Sequence, residues 1–230
     1  MRPTMAAGPR PQPSTALEEV LWASGSRFVA GVDEVGRGPL AGPVYACAVI
    51  LDSHARRPWW EELRDSKVLL AAKRERLACV VREQALSFGL GWASVSEIDD
   101  MGIGPANKLA MIRAIDAMKL TPQYVLIDGP LGIDHPLPQR TVVDGDATCT
   151  TIAAASIVAK VARDALMCEL DVVHPQYGFA SHKGYATREH LASIERYGLC
   201  EQHRRSWLAV QRRAGMLPLE FVEAADAASG

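Results

Sequence analysis

The sequence has no CxxC pair and no cysteine–histidine cluster at zinc-ligand spacing. Its five cysteines, at positions 47, 79, 149, 168 and 200, are scattered. That excludes a zinc finger or ribbon and a patterned disulfide framework. An odd, unpatterned set suits a reducing compartment, and Cys47, inside an apolar run, is expected as a small core residue. No apolar run approaches the length of a membrane span, and the Pro-rich N-terminus lacks the apolar centre of a signal peptide. The expected location is the cytoplasm. Charge of one sign is also missing: the net charge is −2 and the pI about 6.3. A nucleic-acid partner would therefore have to be held by a local patch. Aromatic residues make up only 6 % against 48 % hydrophobic, so small aliphatic side chains must fill most of the core. No internal repeat is visible. A chain of 230 residues fits one large domain, or a domain with an appendage.

What is present is organised around residues 31–43, Gly-Val-Asp-Glu-Val-Gly-Arg-Gly-Pro-Leu-Ala-Gly-Pro. Two adjacent carboxylates, Asp33 and Glu34, stand near the end of a strand, in a stretch with four glycines and two prolines. Hard oxygen ligands of this kind suit magnesium, which completes its shell with water and substrate phosphate. Glycine lets a ligand approach bare backbone, and Arg37 offers a donor fork that matches phosphate. The plain alternative is a strand that ends in a solvated turn. Alternation also sends Asp33 and Glu34 to opposite faces of a straight strand. Either the chain bends at Glu34, with Gly36 and Gly38 supplying the bend, or Glu34 contributes its carbonyl.

Along the chain, Ser14-Thr15 precedes a short helix, Ala16 to Ala23, and Val44 to Leu51 reads as the second strand. Helical spacing follows over Ala71 to Ser87, and a Gly-interrupted strand over Phe88 to Val95. Pro105 opens a helix through Lys119. Tyr124 to Ile127 is a short buried strand that ends in Asp128-Gly129-Pro130. Arg140 to Val143 is a fifth strand, followed by Asp144-Gly145-Asp146 and a long helix over residues 148 to 170. The run Ile152 to Ala159 is almost wholly small or aliphatic, which predicts a helix lying close on the sheet. The pattern is α/β, a mixed sheet with helices packed on it.

Four acids thus fall at or just past strand ends: Asp33, Glu34, Asp128 and Asp146. Ligands of open α/β sheets bind outside the carboxyl ends of strands. If the first, fourth and fifth strands are neighbours, these acids meet, and two divalent metals could clamp a phosphoryl displacement between them. Taken singly, each acid has a plainer role. Asp128-Gly129-Pro130 is a good turn, Asp146 a possible helix cap, and Asp164 a partner for Lys160 four residues earlier. The local positive charge lies downstream. Residues 183–213 hold seven Lys/Arg and three Asp/Glu, a surplus of four, with His182, His190 and His203 in or beside them. These histidines have no metal-ligand partners nearby in sequence. A solvated helical face would look similar. Tyr185, beside Gly184, has a ring that can stack on a base or sugar.

These residues carry a resemblance. The 31–43 stretch resembles the opening motif of the ribonuclease HII family. So do Asp65-Ser-Lys67, Ile127-Asp-Gly129 and Gly145-Asp-Ala147. The match continues through Ile152-Ala-Ala-Ala-Ser-Ile-Val-Ala-Lys-Val-Ala-Arg-Asp164, Lys183-Gly-Tyr-Ala-Thr187 with His190, and His203-Arg204. It runs from about residue 27 to about 210, in order. Trp207 departs from the phenylalanine common at its position.

The resemblance implies a ribonuclease H-like fold, a five-stranded mixed sheet flanked by helices, with a C-terminal helical extension. The family's metal-binding catalytic acids fall on Asp33, Glu34, Asp128 and Asp146. Its glycine-arginine-glycine loop falls on Gly36, Arg37 and Gly38, and its substrate-sensing tyrosine on Tyr185. The implied activity is cleavage of RNA in RNA–DNA hybrids, and of duplex DNA 5′ to a lone ribonucleotide. It would use two magnesium or manganese ions and leave 3′-hydroxyl and 5′-phosphate ends. The 2′-hydroxyl separates RNA from DNA, and the Gly36-Arg37-Gly38 backbone and the Tyr185 ring would read it. From charge alone, Lys183, Arg188, Arg204 and Arg205 are expected phosphate contacts, with Lys160 and Asp164 as supporting residues. The expected division is a disordered or partly helical tail over residues 1–25, a catalytic domain over 26–172, a helical substrate-binding extension over 173–214, and a flexible tail over 215–230. Fewer than 30 residues precede the first motif, too few for the extra N-terminal domain of the related ribonuclease HIII. A monomer is expected. Two alternatives stand beside this reading: a junction nuclease of the same fold, and a hybrid-binding protein without catalysis.

Overall fold

The computed structural model describes residues 12–215. The expected order of residues 1–11 and 216–230 concerns chain outside the described residues. Helix α1 (Ala16–Ala23) is followed by strands β1 (Val29–Val35) and β2 (Val44–Ile50). A 3₁₀ turn over Pro58–Glu62 precedes α2 (Ala71–Gln84) and β3 (Ser87–Ala93). Helices α3 (Val95–Met101) and α4 (Ile103–Asp116) lead to β4 (Tyr124–Asp128) and β5 (Gln139–Val142). The short α5 (Gly145–Thr148), the long α6 (Thr150–Val173), α7 (Phe179–His182), α8 (Arg188–Tyr197) and α9 (Leu208–Arg213) complete the chain.

The five strands form one sheet in the order β3-β2-β1-β4-β5. β1 runs parallel to β4, with Val29 opposite Tyr124 and Val32 opposite Ile127; β4 runs parallel to β5, with Asp128 opposite Val142. Asp33 and Asp128, each one residue past the Val32–Ile127 pair, therefore lie at neighbouring strand ends. The first, fourth and fifth strands are neighbours, as the acid pattern required.

The long helix α6 lies on the sheet as its small residues predict, and Thr151 to Ala159 are all buried. Gly31 shows how close the approach is. A Cβ there would stand 2.3 Å from the Thr151 carbonyl carbon, so no side chain fits. Near this contact Val29, Leu126, Cys149 and Ile152 form a fully buried cluster, covered by Leu17, Leu21 and Trp22 of α1. The N-terminal helix is thus part of the core. Thr15 stands at its N-cap but its hydroxyl donates to Glu19, 2.6 Å away, instead of accepting from a helix amide. Glu18, 0 % exposed, turns inward. Its Oε1 accepts from the Thr151 amide at 2.8 Å and the Thr151 hydroxyl at 3.0 Å, at the start of α6.

Contacts divide the chain into two compact units that interleave in sequence. Among the described residues, one comprises 12–34, 46–91 and 111–161; the other comprises 35–45, 92–110 and 162–215. Packing groups the second half of α6 with the later helices. In this second unit Ala41, Met167, Tyr177 and Phe179 form one cluster, and Leu40, Ile194 and Val210 another.

Candidate active site

Parallel pairing of β1 with β4 brings Asp33, Glu34 and Asp128 together. Their carboxylate oxygens lie within 4.8 Å of one another. β1 continues as a strand through Glu34 to Val35, and the left-handed turn comes at Gly36, whose φ is +93°. Gly38 is not among the positive-φ glycines. The Glu34 side chain, not its carbonyl, joins Asp33, and the Asp33 carboxylate accepts the Glu34 amide at 2.7 Å.

Asp33 is 5 % exposed. Burial first, then the charges of Glu34 and Asp128, push its carboxyl well above the ordinary carboxylate range. Burial also raises Asp128, against the lowering effect of the Gly145 and Asp146 amides. The Gly145 N–H donates to Asp128 Oδ1 at 2.7 Å. A Cβ at Gly145 would stand 2.7 Å from Ile152 Cδ1 and 3.0 Å from that same Asp128 oxygen, so a side chain there would push on the carboxylate. Asp146 lies in the first turn of α5, outside the tight trio, and is raised by burial and by Asp65 and Asp128. Acids held this close repel one another, and a divalent cation relieves that repulsion while satisfying hard oxygen ligands. The donor set, all carboxylate and partly buried, fits such an ion.

One basic residue beside the acids had no assigned role in the sequence. Lys67 Nζ stands 3.8 Å from Asp146. Burial opposes its charge, but the field of Asp146, Asp65, Asp33 and Asp128 raises its pKa. Asp65 Oδ1 accepts the Lys67 amide at 2.9 Å and turns the loop, and the Ser66 hydroxyl accepts from Ser156 at 3.0 Å. The available signal was Asp65-Ser-Lys67 itself, a polar triplet whose Asp65 and Ser66 are buried.

In the second unit, Arg37 and Gly38 are exposed and Gly36 is buried. A Cβ on Gly38 would sit 3.7 Å from Tyr185 Cε1, so the tyrosine ring lies over this glycine, 42 % exposed. Arg188 and Arg205 are exposed. Arg204 requires a correction. It is 0 % exposed, and its guanidinium donates to the carbonyls of Gly36, Arg37 and Gly42. It shapes the glycine-arginine-glycine loop from behind and has no face for a phosphate. Charge counting missed this because it treats every arginine as solvated. Arg163, also 0 % exposed, plays the same part. It donates to Pro43 and Ala41 carbonyls at 3.0 and 3.1 Å and to the Lys183 carbonyl at 3.0 Å. Lys183 is half-buried, and its ammonium donates to the Ala180 carbonyl. Lys160 and Asp164 are half-buried on α6.

A second cluster, His174, Cys200 and Glu201, also gathers ligand atoms. Its members are satisfied internally. His174 Nε2 and Glu201 Oε1 are 2.9 Å apart, and burial pushes the Cys200 thiol up, away from the thiolate a soft metal needs.

Carboxylates gathered at the ends of adjacent parallel strands, on a β3-β2-β1-β4-β5 sheet crossed by a long helix, define a metal-dependent nuclease of the ribonuclease H-like class. Comparison with known proteins narrows the class. The family model for Ribonuclease HII matches residues 30–210. The Ribonuclease HII of Laribacter hongkongensis is 52 % identical over 201 residues, covering 85 % of this chain and 99 % of that protein. Among solved structures, the ribonuclease H2 of Pyrococcus horikoshii superposes with a TM-score of 0.70 at 22 % identity, covering 82 % of this chain and 98 % of the other. Bst-RNase HIII, solved in complex with Mn2+, gives 0.61 at 18 % identity, covering 83 % and 70 %. The chain belongs to the ribonuclease HII family. It is an endonuclease of the ribonuclease H type, a divalent-metal hydrolase that acts on nucleic acid.

Proposed function

We propose that this enzyme cuts the RNA strand of RNA–DNA hybrids and cuts duplex DNA on the 5′ side of a single ribonucleotide, leaving 3′-hydroxyl and 5′-phosphate ends. The observation that carries the reading is the convergence of Asp33, Glu34 and Asp128 within 4.8 Å in a partly buried setting. These three, with Asp146 beside them, would hold two magnesium or manganese ions; a manganese complex is known for the structurally similar Bst-RNase HIII. Such ions supply Lewis acidity, lowering the pKa of a water and stabilising a departing oxygen. Asp33 and Asp128 would orient that site through their own fixed bonds to the Glu34 and Gly145 amides. Lys67, mostly exposed and drawn to the acids, would neutralise phosphate charge as the substrate approaches.

Substrate choice would rest on the second unit. Exposed Arg37 and Gly38 and the Tyr185 ring over Gly38 would offer donors and an apolar face to one nucleotide. The 2′-hydroxyl is what such a pair would read. Exposed Arg188 and Arg205 would add phosphate contacts that set affinity without sequence preference. The enzyme would act as a monomer in the cytoplasm. No helix among the described residues is long and apolar enough to cross a membrane.

The test is cleavage of a labelled DNA duplex containing one ribonucleotide, beside an all-DNA control and the Asp128→Asn variant, with magnesium or manganese. A single 5′ cut, absent from the control and lost in the variant, is expected. Cleavage of a long hybrid without that cut would overturn the role given to Arg37 and Tyr185. No cut of either substrate with either metal would overturn the whole reading.

A further inference from the structure

Three histidines of the second unit pack together, and one of them, His190, reaches the main chain of Tyr185. His182 stacks on His190 with ring centroids 4.4 Å apart, and His190 and His203 are 5.3 Å apart. Phe179 closes one side, at 5.6 Å from His190 and 5.7 Å from His203. His190 and His203 are essentially sealed from solvent, at 0 % and 1 % exposure.

The hydrogen bonds fix the tautomer of each ring, and they do so independently from both ends. At one end, His190 Nδ1 stands 2.9 Å from the Tyr185 carbonyl oxygen. A carbonyl can only accept, so Nδ1 carries the proton and a neutral His190 has a bare Nε2. At the other end, the Cys200 amide donates to His203 Nδ1 at 3.0 Å. An amide N–H can only donate, so this Nδ1 is bare and the proton of neutral His203 is on Nε2. The two Nε2 atoms face each other at 3.2 Å. One protonated and one bare is the combination that the two distant backbone groups demand. The result is a directed chain: Cys200 N–H to His203, His203 to His190, and His190 to the carbonyl of Tyr185. A proton added to either ring sets two donors against each other. Burial agrees, since it pushes both imidazoles down to about 4 and keeps them neutral.

The chain ends on a residue whose main chain is otherwise clamped. The Tyr185 amide donates to His182 at 2.9 Å, and its carbonyl also receives Thr187 N–H at 2.8 Å. The next carbonyl back, on Gly184, receives the Leu40 amide at 2.8 Å. Backbone fixed at this density leaves the ring alone to project over Gly38.

We propose that His203 and His190 are positioning residues, a one-way relay of neutral imidazoles that anchors the Tyr185 carbonyl and thereby sets where its ring meets a ribonucleotide. This rests on the reading of Tyr185 as the group beside the 2′-hydroxyl.

Asparagine and glutamine at position 190 separate the relay from a general packing role. An Asn amide reaches the place of Nδ1 and can still donate to the Tyr185 carbonyl. A Gln amide reaches the place of Nε2 and cannot. On the single-ribonucleotide duplex, His190→Gln is expected to turn over roughly tenfold more slowly than His190→Asn, the kinetic equivalent of one net hydrogen bond. In a Tyr185→Ala background that difference should vanish, as coupled residues require. Nitrogen-15 imidazole spectra of the unaltered protein should show Nδ1–H on His190 and Nε2–H on His203. Reversed tautomers, equal rates for the two variants, or a difference that survives in Tyr185→Ala would overturn the relay while leaving Tyr185 in place. A Tyr185→Ala enzyme as fast as the unaltered one would instead overturn the reading of Tyr185, and the relay's purpose with it. Should both position-190 variants fail to fold, the spectra alone decide the direction of the chain.

Discussion

Asp128 and Gly145 are joined by a 2.7 Å hydrogen bond from the glycine amide to the carboxylate, so the turn that carries Asp146 also fixes the acid at the end of β4. A side chain at 145 would collide with that carboxylate and with Ile152. Gly145→Ala is therefore expected to weaken divalent-metal affinity by roughly tenfold with the fold retained, a loss of the size seen when a ligand's supporting partner is removed. Isothermal titration with manganese would measure it, and unchanged affinity would refute the coupling.

Metal binding should strengthen as pH rises. The Asp33, Asp128 and Asp146 carboxyls are all raised in the folded protein, through burial and their neighbours' charge. Raised folded values mean that the metal-free fold binds protons more tightly than the unfolded chain. The stability this contributes is present below the unfolded carboxyl range and is lost as pH climbs through the raised values. A divalent ion takes the place of those protons, so its gain in melting temperature should grow from about pH 4 toward neutrality. Melting curves with and without magnesium across that range would show it. A gain independent of pH would contradict the repulsion seen among the acids.

Arg204 should behave as a scaffold residue and not as a phosphate contact. Arg204→Lys leaves buried carbonyls at Gly36, Arg37 and Gly42 short of donors, and a lysine cannot span all three. Urea unfolding should show a loss of about 2 kcal/mol or more. The dependence of substrate affinity on salt should keep its slope, whereas Arg188→Ala should flatten it by about one counterion.

Glu18 should matter to stability although it lies outside the acid cluster. Its carboxylate caps the start of α6 and is raised by burial. Glu18→Ala is expected to cost about 1–2 kcal/mol, the value of a lost helix cap. Glu18→Gln should keep the acceptor and remove the part of the stability that falls as pH rises through the raised carboxyl. Thermal melts at two pH values would separate the variants.

The strands and the acids were legible in the sequence because their signals are local. Alternating or continuous apolar runs ended in Asp-Glu, Asp-Gly-Pro or Asp-Gly-Asp, and only the adjacency of the first, fourth and fifth strands had to be supplied. The close lie of α6 could be read from Ile152 to Ala159. The two buried arginines could not, because whether a guanidinium meets phosphate or carbonyl depends on which chain folds over it. Lys67 stood in a visible motif, Asp65-Ser-Lys67, but its partner Asp146 is distant in sequence. The interleaving of the two units has no local signal, since a composition change near 173 does not report which helix half packs where. Three histidines looked like weak metal evidence in the sequence, and only the Tyr185 carbonyl and Cys200 amide reveal their direction.

The parallel pairing of β1 with β4 also bears on how the chain is made. β1 leaves the ribosome long before β4, and its acids have no third carboxylate until the later strand arrives. Non-local parallel pairing of this kind forms slowly. The full trio of acids therefore comes together only once the chain through β4 has folded. Until most of the sheet is assembled, the nascent protein does not hold these three carboxylates together.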